Sequence, residues 1–175
     1  VGGAFSQAGV WQRSNVARLL ANGEVDSSWN PGTDGVVNAF ALDDAGSVFL
    51  AGNFNHVAGQ PRGNLAKLGD GPGASVDALW QANLDEGARV EDLELDGAGS
   101  LFVGGMGFQS VNGAECCVGL VKLSASGSGA RDALWNVGPS GSMRFVNDLQ
   151  LDAHGNLLIN TAAGDGFAPV TEVES

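Results

Sequence analysis

Four carboxylates are spaced so that they can form a metal-binding or reactive group. Asp92, Glu94 and Asp96 alternate along one apolar segment, and alternate residues of a β-strand point to the same face of a sheet. Asp148 stands where Asp92 does when the later segment "VNDLQLD" is aligned with "VEDLELD". Carboxylates that converge in this way could bind a hard cation such as calcium, or supply the acid and the base of glycoside hydrolysis.

An earlier copy of the same segment argues against both uses. Ala39 and Ala41 occupy the places of Asp92 and Glu94 there, and the sequence lacks the spacing of a calcium-binding loop. We therefore predict no catalytic residue and no cofactor other than calcium, whose candidate ligands are Asp92, Glu94, Asp96 and Asp148.

The nucleophiles and bases form no recognisable catalytic motif. No serine lies in a Gly-x-Ser-x-Gly elbow, and His56 and His154 lack metal-ligand spacing. Cys116 and Cys117 are adjacent and so cannot join distant segments. They are two inert thiols, a disulfide between neighbours, or partners of cysteines outside this chain. The sequence predicts that the protein is not an enzyme.

The charge of the chain argues against one class of partner, and its pattern of apolar residues argues against another. Asp and Glu number 20 against 8 Lys and Arg, which gives a net charge of −12. Such a surface repels phosphate backbones, so nucleic acid is not expected as a partner. No apolar run approaches the ~20 residues that cross a bilayer as a helix, so membrane insertion is not expected either.

The carboxylates are positioned by an element that recurs along the chain. "VNAFALDDAGSVFLAG" begins at Val37, "VEDLELDGAGSLFVGG" at Val90 and "VNDLQLDAHGNLLINT" at Val146, at spacings of 53 and 56 residues. Period-2 alternation of apolar residues predicts a strand on each side of an Asp-x-x-Gly turn, where we expect a two-residue hairpin loop with glycine at positive φ. With two further strands, the unit has the size of a propeller blade.

Glycine pairs and tryptophans also recur in register. No helix follows Gly2-Gly3 or Gly104-Gly105, so we interpret these pairs as close strand packing rather than as phosphate loops. Three repeated tryptophans are predicted to be core residues: Trp29, Trp80 and Trp135. Trp11 has no aromatic counterpart in the second repeat, and it is our candidate ligand-contact residue.

A family resemblance rests on these motifs together. "GNFNHVAGQPRGNLAKL", then an Asp-x-x-Trp-Asn/Gln element, then "VxDLxLDxxGxLxxxG", resemble the repeats of the delta-60 repeat β-propeller proteins. The resemblance covers three repeats and implies a bacterial, exported blade array. It transfers no catalytic residue, because the matched positions are Gly, Phe, Leu and Trp that shape blades.

We therefore predict an all-β fold of four-stranded antiparallel propeller blades in one partial β-propeller region, 1–175. The repeats are expected at about 1–36, 37–89, 90–145 and 146–175, the first and last incomplete. About three blades are fewer than the 4–8 of closed propellers, so we expect the chain to be part of a larger propeller or assembly.

The predicted function is a non-catalytic extracellular or cell-surface module that binds proteins or surfaces or has a structural role. Its expected partners are other blades of the same protein or further copies of itself, with a protein or glycan as ligand. Two alternatives stay open: a lectin-like or glycan-active propeller, and a self-assembling surface or filament component.

Overall fold

The computed structural model describes residues 1–135 and 145–161, and every regular element within them is a β-strand. The other residues, 136–144 and 162–175, belong to the predicted third and fourth repeats. The strands are β1 (Gln7–Ala8), β2 (Trp11–Gln12), β3 (Val36–Leu42), β4 (Val48–Asn53), β5 (His56–Val57), β6 (Gln60–Pro61), β7 (Leu65–Leu68), β8 (Arg89–Leu95), β9 (Ser100–Met106), β10 (Ser110–Val111), β11 (Ala114–Glu115), β12 (Leu120–Ser124), β13 (Val146–Leu151) and β14 (Leu157–Thr161). No helix in the described part of the chain is long and apolar enough to cross a membrane.

The second, third and fourth repeats each build an antiparallel sheet. The second repeat forms the sheet β3-β4-β7, the third forms β8-β9-β12, and β13 pairs with β14. Val37, Ala39 and Ala41 are buried while Leu42 is exposed, as the period-2 pattern predicts. The largest apolar cluster lies between the second and third sheets. The prediction of an all-β fold built from repeated antiparallel units is confirmed.

The fourth strand of each unit is shorter than expected. It is reduced to a single bridge, Leu68↔Val76 in the second repeat and Leu123↔Arg131 in the third. The reason is local, since one carboxylate oxygen of Asp77 accepts the backbone amides of Leu79 and Trp80. This side-chain turn competes with the ladder and ends the strand just after Val76.

The Asp-x-x-Gly turns form as predicted, except that the loop has three residues rather than two. The Asp43 amide donates to the Ser47 carbonyl, which leaves three residues between them. Gly46 has a φ of 83°, and the Asp43 carboxylate accepts the Ala45 and Ser47 amides at 3.1 and 2.8 Å. A turn of this kind ends on a residue at positive φ, a place that favours glycine.

Short hairpins that the sequence analysis missed lie between the second and third strands. They are β1–β2, β5–β6 and β10–β11, and we call their exposed surface the hairpin face. The loop residues Asn112 and Gly113 have φ of 52° and 76°, as a two-residue type I′ turn requires. The dipeptide Asn112-Gly113 was therefore the sequence signal for the β10–β11 hairpin, whereas the loops of the other two are Gly9-Val10 and Ala58-Gly59.

The repeat predicts equivalent buried places for the aligned residues Phe40, Leu93 and Leu149, and burial confirms two of them. Leu93 and Leu149 are buried, whereas Phe40 is 36% exposed. Phe40 lies over Gly2, whose built Cβ would come within 2.6 Å of the Phe40 ring. Residues 1–28 form bridges and one short hairpin rather than a three-stranded sheet, so they cover this ring less completely.

The tryptophans are not equally buried. Trp29 and Trp80 are buried, but Trp135 is only half-buried, although its ring packs edge-on against Phe102 at 5.4 Å. Trp80 is covered by the loop of the following blade, where Gly129 lies against the indole. The loop over Trp80 follows the third strand of its blade, and the described part of the fourth repeat contains only β13 and β14.

Candidate functional site

Buried arginines anchor the hairpins of the first two repeats. Arg13 is 4% exposed, and its Nη2 donates to the Asp26 carbonyl at 2.9 Å. Arg62 repeats the contact with the Asp77 carbonyl at 3.0 Å. Each guanidinium therefore fixes its hairpin to the fourth-strand segment of the same repeat.

Aspartates from the preceding repeat fix the hairpins of the second and third repeats from the other side. The Asp34 carboxylate accepts the backbone amides of Asn55 and His56 at 2.8 and 2.9 Å. Burial opposes the charge of Asp34, but the hydrogen bonds from His56 and Asn55 outweigh it and lower its pKa. The sequence analysis missed Asp34, although an aspartate stands five residues after both Trp29 and Trp80.

The contact between His56 and Asp34 is a feature of the repeat. The ring Nδ1 of His56 lies 2.7 Å from an Asp34 oxygen, and both side chains are exposed. In the third repeat Ser110 takes the same place beside Asp85, donating both its amide and its hydroxyl. The shared role is to hold the start of the hairpin.

Trp11 lies on the hairpin face with a large exposed surface. It is 43% exposed, and its neighbour Val10 is 87% exposed. The Arg13 guanidinium lies 5.5 Å from the centre of the indole ring, which orients the ring by a cation–π contact. An exposed, oriented indole can stack on a sugar or fill a protein pocket.

The acidic strand has a structural use between two blades. Asp92 accepts the Leu149 amide at 2.7 Å, and Glu94 accepts the Leu151 amide at 3.0 Å. Both amides lie on β13, so the two carboxylates bind the edge of the next blade's first strand. Burial raises the pKa of Asp92, and the nearby charges of Asp148 and Glu94 add to the rise.

The four candidate calcium ligands do not all meet. Asp96 caps its own turn by accepting the Ala98 and Ser100 amides, while Asp148 is exposed near Asp92. Within residues 1–135 and 145–161, no three His, Cys, Asp or Glu side chains form a group that could hold a metal ion. Asp92, Glu94 and Asp96 therefore each accept backbone amides.

A groove of about 500 Å³ opens between the β3–β4 and β8–β9 turns. Leu42, Asp44 and Leu95 line it. Lys67 also lines it, but its amine is already bound to the Asp43 carboxylate at 3.1 Å and to the Ala125 carbonyl at 2.8 Å. This lysine joins neighbouring blades rather than serving as a reactive amine.

The aspartates predict how stability depends on pH. The Ser28 hydroxyl and then Arg18 lower the pKa of Asp26 from 3.8 to about 2. A lowered folded-state pKa gives stability that is present above pH 3.8 and is lost as the pH falls towards 2. Asp26→Asn should therefore flatten this acid limb of a plot of melting temperature against pH.

A matched control for this prediction is Asp44→Asn. Asp44 is exposed on its turn, and its replacement removes the same single charge from a chain of net charge −12. The difference between the two variants isolates the Asp26 contacts from the general relief of negative charge. Equal acid limbs in both variants would contradict the assignment.

One family model matches parts of the chain. A domain of unknown function described as the DUF5122 beta-propeller matches residues 1–28 and 46–69. The two matches cover overlapping parts of the first and second repeats, and each includes the short hairpin. No curated protein and no solved structure matches the chain. With the antiparallel sheets, the match establishes an all-β fold of the β-propeller repeat type.

Proposed function

We propose that this chain is a non-catalytic binding or structural module of the delta-60 repeat type that acts outside the cytoplasm. Its repeat motifs support the type, together with the similarity of two repeats to a β-propeller family. Its partners are other blades of the same protein or further copies, and a protein or a glycan is its ligand.

One observation carries the binding role: the residues that recur are used for packing, whereas the hairpin tips differ. The repeated Trp, Gly and Asp positions hold strands, turns and blades together, as described above. At the tips, Val10-Trp11 stands where the other repeats have Gly59-Gln60 and Gly113-Ala114. A constant framework that presents variable exposed loops is the arrangement of a binding scaffold.

Two further features support the location and the class of partner. The structure joins Cys116 to Cys117 by a disulfide, one of the three states that the sequence allowed, and disulfides persist mainly in oxidising compartments outside the cytoplasm. The net charge of −12 disfavours nucleic acid. The protein therefore acts at a bacterial cell surface or in the medium, without membrane insertion.

The test is a binding measurement with Trp11→Ala. Purified chain is applied to a glycan array and to immobilised mucin, fibronectin and collagen. We expect Trp11→Ala to weaken the strongest interaction at least tenfold. The reason is that Trp11 is the only exposed aromatic side chain among the three described hairpins that is not a histidine, and the other repeats have Gln60 and Ala114 at its place. The matched control is Gln60→Ala, at the same place in the second repeat, and it should bind as the unchanged chain does.

The other outcomes separate the rival functions. Release of reducing sugar from any glycan would overturn the non-catalytic proposal in favour of a glycan-active propeller. Equal binding by Trp11→Ala and the unchanged chain would remove Trp11 from the contact surface. An absence of binding, together with an apparent molar mass from light scattering that rises with protein concentration, would favour the self-assembling component.

A further inference from the structure

The third repeat replaces the arginine anchor of its hairpin with the two cysteines. The backbone amides of Arg13, Arg62 and Cys116 make the same hydrogen bond, to the carbonyls of Ser6, Asn55 and Gln109, respectively. Cys116 therefore stands at the anchor position, and no arginine lies between Phe108 and Gly119.

The third repeat has one additional residue between Cys116 and Gly119. Asn64 follows Phe54 by ten residues and donates its amide to the Phe54 carbonyl, whereas Gly119 makes the same bond to Phe108 from eleven residues on. The amides of both cysteines converge on the Gln109 carbonyl, at 2.9 and 3.4 Å. The extra residue thus lies where the chain leaves the hairpin, which lets the disulfide form without displacing the strand that follows.

The disulfide packs where an apolar group is needed and remains within reach of solvent. Cys116 and Cys117 pack against the large cluster between the second and third sheets, and both are only half-buried. A bonded pair of sulfur atoms presents no charge to this cluster. A pair of reduced thiols can ionise and rotate independently, and it no longer fixes the exit from the hairpin.

We propose that Cys116–Cys117 is a thiol–disulfide exchange site that controls the order of the β10–β11 hairpin. A thiolate of a small dithiol attacks one sulfur, so that an S–S bond to the reductant forms as the Cys116–Cys117 bond breaks. The second thiol of the reductant then closes its own disulfide. The reductant is oxidised by two electrons, and the two cysteines end as thiols after taking up two protons. Oxidation by a small disulfide reverses the sequence.

The consequence is local to one hairpin of three. The hairpins β1–β2 and β5–β6 are held by Arg13 and Arg62, which are insensitive to thiols. Reduction therefore loosens β10–β11 alone and changes the hairpin face on the third repeat. This inference goes beyond the proposed function and does not depend on the identity of the ligand.

The experiment combines thiol labelling and hydrogen exchange on the full chain, with and without dithiothreitol. Before reduction we expect a chain that forms no intermolecular disulfide and takes up no N-ethylmaleimide, and after reduction a chain that takes up two. Exchange of amides in 109–117 should become at least fivefold faster on reduction, while that of 55–62 in the same molecule stays constant. Labelling before reduction, a reducible dimer, or equal exchange of 109–117 in both states would overturn the proposal.

Two variants make the result independent of a general loss of folding. Cys116→Ser with Cys117→Ser should show fast exchange in 109–117 whether or not dithiothreitol is present. Cys116→Arg with Cys117 deleted restores the pattern of the second repeat, and it should show slow exchange under both conditions. If the variant with Cys116→Arg and Cys117 deleted still exchanged faster in dithiothreitol, the faster exchange would not come from the disulfide.

Discussion

Replacing Trp80 with alanine should lower the free energy of unfolding by about 3–5 kcal/mol, as for other fully buried large aromatic side chains. The side chain of Trp80 is fully buried and meets Phe49 edge-on, with ring centres 5.3 Å apart. Its Nε1 also donates to the Ser124 carbonyl of the next blade at 2.9 Å. The variant therefore loses a core contact and a link between blades at once.

Urea denaturation followed by circular dichroism measures this loss. Trp80→Phe is the matched control, because it keeps an aromatic ring against Phe49 and removes only the indole N–H and part of the volume. Its cost should be clearly smaller than that of Trp80→Ala. Trp11→Ala, at an exposed position, should cost about 1 kcal/mol or less through its cation–π contact. An unchanged free energy of unfolding in Trp80→Ala would contradict the interpretation of Trp80 as a core residue.

The strands and turns could be predicted because their causes are local. Alternating apolar residues determine which side of β3 faces the core, and an aspartate followed three residues later by glycine is sufficient to build the turn at Asp43. The loop length was off by one residue because the two-residue and the three-residue turns both require glycine at positive φ.

The errors concern contacts between repeats. Phe40, Leu93 and Leu149 are equivalent in sequence, but their burial depends on what the preceding repeat places over them. The spacing of Asp92 and Glu94 does not reveal their backbone partners, because the amides that they accept belong to β13 of the next repeat. A repeat pattern specifies what each unit contains, whereas the use of its polar side chains depends on its neighbour.

Gly105 provides the second large effect, which comes from the lack of space for a side chain rather than from backbone conformation. Gly105 is not at positive φ, but a Cβ built on it would overlap the Arg89 carbonyl oxygen of the adjacent strand. The overlap arises because β8 has a bulge between Val90 and Asp92, which brings its backbone against β9. Gly52 repeats this arrangement against the Val36 carbonyl.

Gly105→Ala should therefore destabilise the protein by about 3 kcal/mol, at the upper end of the usual cost of overpacking. The backbone cannot shift aside easily, because Gly105 also donates its amide to the Gly119 carbonyl at 2.9 Å and is held from both sides. Thr161 occupies the corresponding place in β14, a strand that pairs only with β13 in the described residues. Its backbone is therefore less confined.

Gly97→Ala is the matched control from the same repeat. Gly97 is exposed on the β8–β9 turn, has no heavy atom within 4 Å of a built Cβ, and is not at positive φ. Its replacement should change the free energy of unfolding by less than about 0.5 kcal/mol. Urea unfolding of both variants compares the two sites directly. If Gly105→Ala were as stable as Gly97→Ala, the inferred close approach of β8 to β9 would be wrong. The explanation of why glycine recurs at positions 52 and 105 would then be wrong as well.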